Sequence, residues 1–273
     1  MEDSYIRFFA SEAQKKPPVI NRAYWARTYR VWKTLEEFLK QGNKQVANLG
    51  AGYDTTFWVM KNKFPLIKYL EVDFEEVCRK KLKIISNHPE LSNCIDCDLR
   101  GKHEVVSSSY CLVPADLKRP QELFAKLRTI LNPELPTLFI AECVLVYLDA
   151  QNSNALIQEA SAFPNSGFLV FDIIQPNDPF GRTMMENLHA RGVHLHGIYD
   201  YSTLEANRER YLEYFPRVQV LTMLEVYNQA LDSKEKSRIE HIEWLDEFEE
   251  WNLLMSHYIM AIACKGTLEL KFT

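Results

Sequence analysis

This chain of 273 residues lacks the features that mark several classes of protein. No apolar run approaches the roughly 18 residues that a membrane-spanning helix needs. The N-terminus has no basic start followed by an apolar block, so it does not resemble a secretory signal. The net charge of −5 leaves no basic excess for general nucleic-acid binding. We therefore expect a cytoplasmic protein that binds neither membranes nor nucleic acids.

Catalytic and metal-binding motifs are equally scarce. The sequence has no Gly-x-Ser-x-Gly turn for an acyl nucleophile and no phosphate loop of the Gly-x4-Gly-Lys type. Of the six cysteines, only Cys94 and Cys97 form a suggestive pair, and no further ligands lie nearby. His194 and His196 also lack a suitably spaced carboxylate. We predict no metal site.

The chain does contain a regular alternation of apolar strands with helical segments. We predict strands at 45–49, 67–72, 110–113, 137–140, 167–171, 218–222 and 257–263. Such alternation predicts an α/β fold whose mostly parallel sheet is covered by helices on both faces. No linker or repeat divides the chain, so we expect a single domain over residues 1–273.

The predicted segments outside this alternation are mostly helical. A helix at 19–41 belongs to an N-terminal entry segment, residues 1–44, and 86–109 form a variable connection. The 176–212 segment interrupts the alternation, and we predict a helical insertion there over the carboxyl edge of the sheet. Two further helical stretches are predicted at 223–231 and 238–251.

A glycine turn follows the first predicted strand. Gly50 and Gly52 would let a ligand approach the backbone closely. The third glycine of a dinucleotide-binding pattern would fall at Thr55, and Asp54 at the helix start would repel a pyrophosphate. Both observations argue against a nicotinamide-dependent dehydrogenase. They favour a ligand without phosphate at this point, such as S-adenosylmethionine, although a turn without a ligand is the simpler alternative.

Acidic residues follow the next two strands. Asp73 lies about twenty residues after the glycines, where a carboxylate accepts hydrogen bonds from both ribose hydroxyls. Asp116 can accept a hydrogen bond from an adenine amine while Leu117 packs against the ring. Each aspartate has the alternative role of a helix N-cap. Glu71 is expected to face elsewhere, because successive strand residues alternate in direction.

Two further charged residues are candidates for the site. Glu142 follows a continuous apolar strand, and a carboxylate is costly there unless it is paired, so we expect it near the charged amine of the ligand. Arg27 can form a forked contact with a carboxylate. A solvated basic face shared with Arg22 and Arg30 accounts for it at least as well.

Together these segments resemble the leucine carboxyl methyltransferase family, in order and over nearly the whole chain. The motifs that carry the resemblance are Asn21–Arg27, Asn48–Trp58, Glu71–Phe74, Ala141–Tyr147, Phe180–Leu188 and Ser237–Glu240. The resemblance implies a class I S-adenosylmethionine-dependent methyltransferase fold, Rossmann-like with a mostly parallel seven-stranded sheet. It also implies a substrate, the C-terminal leucine carboxylate of the protein phosphatase 2A catalytic subunit.

The resemblance further implies roles for individual residues by position. It assigns the methionine carboxylate to Arg27, the underside of the cofactor to Gly50, the ribose to Asp73, the adenine to Asp116 and Leu117, and the amine to Glu142. A carboxylate substrate is already ionised at neutral pH, so no catalytic base is needed. We expect Tyr147 beside that carboxylate, as a hydrogen-bond donor or a wall, with a core aromatic as the alternative.

The start of the chain departs from the family pattern. Family members carry a segment before the position of Tyr5, including a lysine at the cofactor pocket and part of a lid, whereas here Met1 lies four residues earlier. One alternative is therefore a catalytically weak or silent module that binds the phosphatase. Another is the related branch that methylates a carboxyl group in a wybutosine-type tRNA base, but its kelch-type extension has no room here. We expect a monomer.

Overall fold

One sheet of eight strands forms the frame of the protein. The computed structural model describes residues 2–10, 15–65, 67–99 and 103–272. Within them the strands are β1 Gln45–Leu49, β2 Lys68–Asp73, β3 Val105–Val106, β4 Tyr110–Pro114, β5 Thr137–Glu142, β6 Ser166–Ile173, β7 Arg217–Thr222 and β8 Tyr258–Cys264. Their order across the sheet is β3-β4-β2-β1-β5-β6-β8-β7.

Strands β4, β2, β1, β5 and β6 run parallel, and β8 lies antiparallel between β6 and β7. This confirms the α/β, Rossmann-like prediction. The sheet has one strand more than the seven expected, because the 86–109 connection contributes the two-residue β3, which pairs antiparallel with β4 at the edge. All five residues of β1 are buried, including the polar Gln45 and Asn48, as expected for a central parallel strand.

In the described residues one helix precedes the first strand, and the others lie between strands along the chain. The helices are α1 Pro18–Lys40, α2 Thr56–Lys63, α3 Glu75–Asn87, α4 Pro89–Ser92, α5 Pro120–Ile130, α6 Ala150–Ser161, α7 Pro179–Ala190, α8 Leu204–Leu212, α9 Met223–Glu225, α10 Ser233–Ile242 and α11 Phe248–Ser256. Short 3-10 turns occur at Ile6–Phe8 and Leu145–Tyr147, and a π-helical turn spans Val226–Ala230.

The prediction of one helix over 238–251 is wrong. Helix α10 ends at Ile242, and Glu243 is extended at φ −144°. The guanidinium of Arg22 donates a hydrogen bond to the Glu243 carbonyl at 2.8 Å, and Leu245 is buried in the core. The core contact of Leu245 and the hydrogen bond to α1 outweigh the local helical preference of this acidic stretch.

Two hydrophobic clusters cover the two faces of the sheet. Leu35 and Phe38 of α1 lie in the first cluster, with α2 and α3. Phe124 of α5 and Leu156 of α6 lie in the second. Because fully burying one such side chain stabilises the fold by about 1.5–3 kcal/mol, these layers fix the strands whose ends form the site. That the chain forms a single domain stays a prediction.

Candidate active site

The carboxyl ends of four neighbouring parallel strands meet at one edge of the sheet. Gly50 follows β1, Asp73 ends β2, Asp116 follows β4 and Glu142 ends β5. A cavity of about 280 Å³ opens along this edge. It is lined by Gly50, Asp73, Phe74, Ala115, Asp116, Leu117, Cys143, Val144, Tyr147 and Leu148. The structure thus brings together five of the seven residues singled out from the sequence.

A second cavity, of about 380 Å³, adjoins the first at Gly50. It contains the remaining two residues, Arg27 and Glu142. The other lining residues are Asp3, Ile6, Thr28, Trp32, Asn48, Ala51, Tyr53, Asp54 and Thr55. The N-terminal segment and helix α1 therefore close this part of the site.

The turn after β1 depends on glycine. Gly50 has a φ of +73°, and a Cβ there would lie 2.6 Å from the Cγ2 of Val144. The Gly50 amide donates to the Val72 carbonyl at 2.8 Å. Gly52, with a φ of +53°, donates its amide to the Asp73 carboxylate at 2.7 Å. A side chain at position 50 would therefore strain the backbone and displace Val144.

Asp54 has a structural role at the start of α2. Its carboxylate accepts hydrogen bonds from the Thr55 amide at 2.8 Å and from the amide and hydroxyl of Thr56 at 3.2 and 2.8 Å. It also accepts one from the Asn48 amide group at 3.0 Å. Asp54 thus lies at the start of the helix, as expected, and the N-cap residue is its neighbour Thr55.

Asp73 lies at the site rather than as a cap of α3. The N-cap residue of that helix is Phe74, which has no side-chain cap hydrogen bond. Asp73 accepts from the amides of Gly52 and Phe74, both at 2.7 Å, through different carboxylate oxygens. Because each oxygen has two lone pairs, the carboxylate can still accept hydrogen bonds from a ligand.

Asp116 combines a turn contact with a position on the first cavity. Its carboxylate accepts a hydrogen bond from the Lys118 amide at 2.9 Å. The N-cap of α5 is nevertheless Arg119, so Asp116 does not cap that helix. Its half-exposed neighbour Leu117 lines the same cavity.

Arg27 and Glu142 form an ion pair. The Nε of Arg27 lies 2.7 Å from a carboxylate oxygen of Glu142, and the guanidinium lies 5.0 Å from the centre of the Phe171 ring. Burial raises the pKa of Glu142, and the charge of Arg27 partly opposes this rise. The sequence indicates that Glu142 needs a partner, and the structure identifies that partner as Arg27.

The turn after β5 lies between the first cavity and a third cavity. Cys143 has a φ of +53°, and its amide donates to the Phe171 carbonyl at 2.7 Å. Burial raises the pKa of its thiol to about 12, so the thiol is neutral at physiological pH. Burial also raises the pKa of the Tyr147 hydroxyl, which therefore remains a hydrogen-bond donor.

The third cavity, of about 260 Å³, is mostly apolar. It shares Cys143 and Tyr147 with the first cavity and Arg27 with the second. Its other lining residues are Ile20, Ala23, Tyr24, Phe171, Ile173, Leu188, Met223, Leu254, Met255 and Tyr258. Sequence reasoning missed all of these, since they come from distant elements and have no common local pattern.

A buried ion pair beneath the site was also missed. Glu71 and Lys81 are both fully buried, with 2.5 Å between the Nζ and a carboxylate oxygen. Tyr110 donates its hydroxyl to the same oxygen at 2.7 Å, and Lys81 donates to the Asp54 carbonyl at 2.8 Å. Burial raises the pKa of Glu71 to about 7. The pair joins α3 to β2, and the hydrogen bond from Lys81 to Asp54 joins α3 to the loop that follows β1.

Other chemistries have less support in the described part of the chain. No three or more His, Cys, Asp or Glu side chains within it are grouped to hold a metal ion, and its cysteines are free thiols. None of its helices is long and apolar enough to cross a membrane.

Comparison with known proteins identifies the family of this site. Residues 1–161 match the family model described as leucine carboxyl methyltransferase. This chain belongs to the leucine carboxyl methyltransferase family. It is thus a carboxyl methyltransferase that uses S-adenosylmethionine, as the sequence resemblance implies.

Curated relatives of the leucine carboxyl methyltransferase family match nearly the whole chain. Leucine carboxyl methyltransferase 1 of Caenorhabditis elegans is 37% identical over 96% of this chain and 84% of its own length. The Bos taurus protein of that name is 38% identical over 98% and 85%. Human tRNA wybutosine-synthesizing protein 4 is 32% identical over 97% of this chain, which spans only 41% of that longer protein.

Solved structures support the fold of this family member. A protein described as a methyltransferase from Thermobifida fusca superposes with a TM-score of 0.60. The match covers 92% of this chain and 84% of that one at 13% identity, so it supports the fold alone.

The residues of the site fit S-adenosylmethionine. The glycine turn provides a backbone surface where a Cβ at Gly50 would collide with Val144. Asp73 retains acceptor capacity on one side of this turn. On the other side, Arg27 and Glu142 provide one positive and one negative group, which match the carboxylate and the amine of a methionine moiety.

Proposed function

We propose that this chain transfers the methyl group of S-adenosylmethionine to the α-carboxylate of the C-terminal leucine of the protein phosphatase 2A catalytic subunit, forming a methyl ester. The observation that carries the proposal is the apolar cavity of about 260 Å³, which adjoins the first and second cavities at the ends of the strands. An apolar wall suits a leucine side chain, and the shared residues Arg27, Cys143 and Tyr147 lie between this cavity and the cofactor.

Each cofactor contact follows from the chemistry of the residue at that place. In this proposal Asp73 accepts hydrogen bonds from the ribose hydroxyls, and Asp116 and Leu117 contact the adenine. Gly50 lies beneath the cofactor, where the two cofactor cavities meet. Arg27 binds the methionine carboxylate and Glu142 the amine, so each partner of the present ion pair receives a ligand group of opposite charge.

The remaining task of the protein is to align the reactants and exclude water. S-adenosylmethionine supplies a methyl group bonded to a positively charged sulfur. The acceptor carboxylate is already ionised, so it would take this methyl group without a catalytic base, and the electron pair of the broken carbon–sulfur bond would stay on sulfur. Opposite charges are neutralised, so a dry, apolar cavity favours the reaction. Tyr147 donates a hydrogen bond that holds the acceptor, and the neutral Cys143 thiol does not compete for the methyl group.

Labelled methyl transfer to the purified phosphatase catalytic subunit tests this proposal. We expect transfer to the intact subunit and none to a subunit that lacks its C-terminal leucine. Equal transfer to both would contradict the proposed acceptor. Binding to the phosphatase without transfer would support the silent module instead, and transfer to tRNA alone would support the wybutosine branch. The net charge of −5 favours a protein acceptor over tRNA.

Calorimetry tests the cofactor assignment separately. We expect Asp73→Ala to weaken the binding of S-adenosylmethionine by about 1–3 kcal/mol, the range for hydrogen bonds to a charged group. Asp246→Ala, at an exposed aspartate between α10 and α11, is the control and should leave affinity unchanged. Unchanged affinity in the Asp73 variant would refute the ribose contact.

A further inference from the structure

The turn that contains Tyr147 is held from two sides through one residue. The amide of Val146 donates to a carboxylate oxygen of Asp172, at 3.2 Å. The carbonyl of Val146 accepts a hydrogen bond from the amide of Gly197, at 2.9 Å. Both backbone polar groups of Val146 are therefore tied, one to strand β6 and the other to the insertion that follows it.

Asp172 is an unusual residue to find inside a sheet. It is 4% exposed, and its second oxygen accepts the Ile173 amide at 3.2 Å. Among the described residues no cation forms an ion pair with it, although the charge of Arg210 on α8 lowers its pKa. Burial is the larger effect and raises that pKa to about 7. A buried carboxylate with so little compensation is costly for stability, so its hydrogen bond to the turn is its evident structural purpose.

Gly197 makes the contact from the insertion very close. A Cβ at this position would lie 2.3 Å from the Leu148 carbonyl oxygen and 3.1 Å from that of Leu145. These carbonyl oxygens belong to the backbone, so they cannot move aside for a Cβ as the end of a flexible side chain can. The insertion therefore docks on the turn through main-chain atoms, and only glycine fits there.

The residue placed by these two contacts is Tyr147, which directly follows Val146. Its side chain is 44% exposed and lines both the cavity beside Asp73 and the apolar cavity. A shift of the Val146 peptide would move this side chain relative to both ligands at once. A small misplacement of the reacting groups lowers the rate strongly, because alignment supplies much of the catalysis in such a reaction.

We propose that Asp172 is a positioning residue for methyl transfer. Together with Gly197 it fixes the backbone of Val146 on both sides and thereby sets Tyr147 between the cofactor and the acceptor. This inference rests on the proposed function, because the placement of Tyr147 matters for catalysis only if the neighbouring cavity holds the acceptor carboxylate. Gly197 thus contributes to catalysis through the backbone of the turn and not through a contact with either reactant.

The test compares Asp172→Asn, Asp172→Leu and Tyr147→Ala in steady-state methyl transfer to the phosphatase catalytic subunit. Asn keeps an oxygen that accepts from Val146, so kcat should stay within about threefold of wild type. Leu removes the acceptor, and kcat should fall about 10-fold or more, the effect of losing one buried orienting hydrogen bond. The dissociation constant for S-adenosylmethionine, from calorimetry, should change little in either variant.

The decisive measurement is the double variant Asp172→Leu/Tyr147→Ala. If Asp172 acts through Tyr147, the double variant should be no slower than Tyr147→Ala alone. Additive losses, or equal losses for the Asn and Leu variants, would overturn the positioning role. Asp200→Leu, at an exposed aspartate of the insertion, is the matched control and should leave kcat unchanged.

A second variant covers the case in which Asp172→Leu fails to fold. Gly197→Ala disturbs the backbone of the same residue, Val146, at its carbonyl instead of its amide, and the resulting loss of kcat should likewise vanish in the Tyr147→Ala background. Additivity there would also overturn the inference. Absence of transfer by the wild-type protein would overturn the proposed function itself, and the inference with it, whereas transfer with additive losses overturns the positioning role alone.

Discussion

Replacing Gly50 by alanine tests the geometry of the cofactor turn through stability alone. Gly50 and Gly42 both have left-handed backbones, at φ +73° and +85°, but a Cβ at Gly42 meets nothing within 4 Å. The Gly42→Ala variant should therefore show backbone strain only, about 1–2 kcal/mol. Gly50→Ala adds a Cβ 2.6 Å from the Val144 Cγ2. Overpacking costs about 1–3 kcal/mol more, for a total of about 2–5 kcal/mol.

Urea unfolding followed by circular dichroism measures these differences. For a chain of this size, a change of 1 kcal/mol corresponds to roughly 2–4 °C in Tm, which provides a second measurement. Val144 is stiff about χ1 and cannot easily turn away from the new methyl group. Val144→Ala should therefore cost less in the Gly50→Ala background than in the wild type. The reasoning is refuted if Gly50→Ala destabilises no more than Gly42→Ala, or if the two changes at positions 50 and 144 are additive.

Two further predictions concern buried charges. The pKa of Asp172 is raised to about 7, so its contribution to stability is full below about pH 4 and is lost as pH rises through 7. Asp172→Asn cannot lose a proton, and it should therefore gain roughly 2–4 kcal/mol relative to wild type between pH 5 and pH 8 in chemical denaturation; a difference independent of pH would contradict this. Lys81→Met leaves Glu71 buried without its cation and should destabilise the protein by about 3–5 kcal/mol. Adding Glu71→Gln should restore part of that loss in urea unfolding, and a double variant less stable than Lys81→Met would count against the pair.

The fold could be predicted because its signals are local and repeated. Apolar runs such as Leu138–Ala141 of β5 alternate with helical periods, and a parallel sheet between helical layers buries them all. The position of the site could be predicted for a similar reason, since parallel strands end at one edge of the sheet. The residues at or just after these strand ends are Gly50, Asp73, Asp116 and Glu142. The break at Glu243 could not be predicted, because it depends on a hydrogen bond from Arg22, 221 residues away.

Apart from Arg27 and Tyr147, the lining of the apolar cavity was beyond sequence reasoning for a related reason. The apolar cavity takes one wall each from α1, β6, α7 and α11, so residues such as Tyr24, Leu188 and Met255 become neighbours only in the folded chain. The expectation that Glu71 faces elsewhere gave no indication of its ion-pair partner, because Lys81 on α3 becomes its neighbour only in the folded chain. The pairing of Arg27 with Glu142 likewise needed tertiary structure.

That pair has a consequence for how the cofactor enters. Without a ligand, Arg27 and Glu142 neutralise each other across 2.7 Å. In the binding mode proposed above, the zwitterionic methionine end of the cofactor replaces this one internal ion pair with two external ones and leaves the net charge of the group unchanged. Because neither the ion pair nor the zwitterion carries a net charge, no long-range electrostatic attraction draws this end of the cofactor to the pocket. Recognition at this end of the pocket therefore depends on short-range fit rather than on ionic strength, and a ligand that carries only one of the two charges leaves a buried partner without compensation.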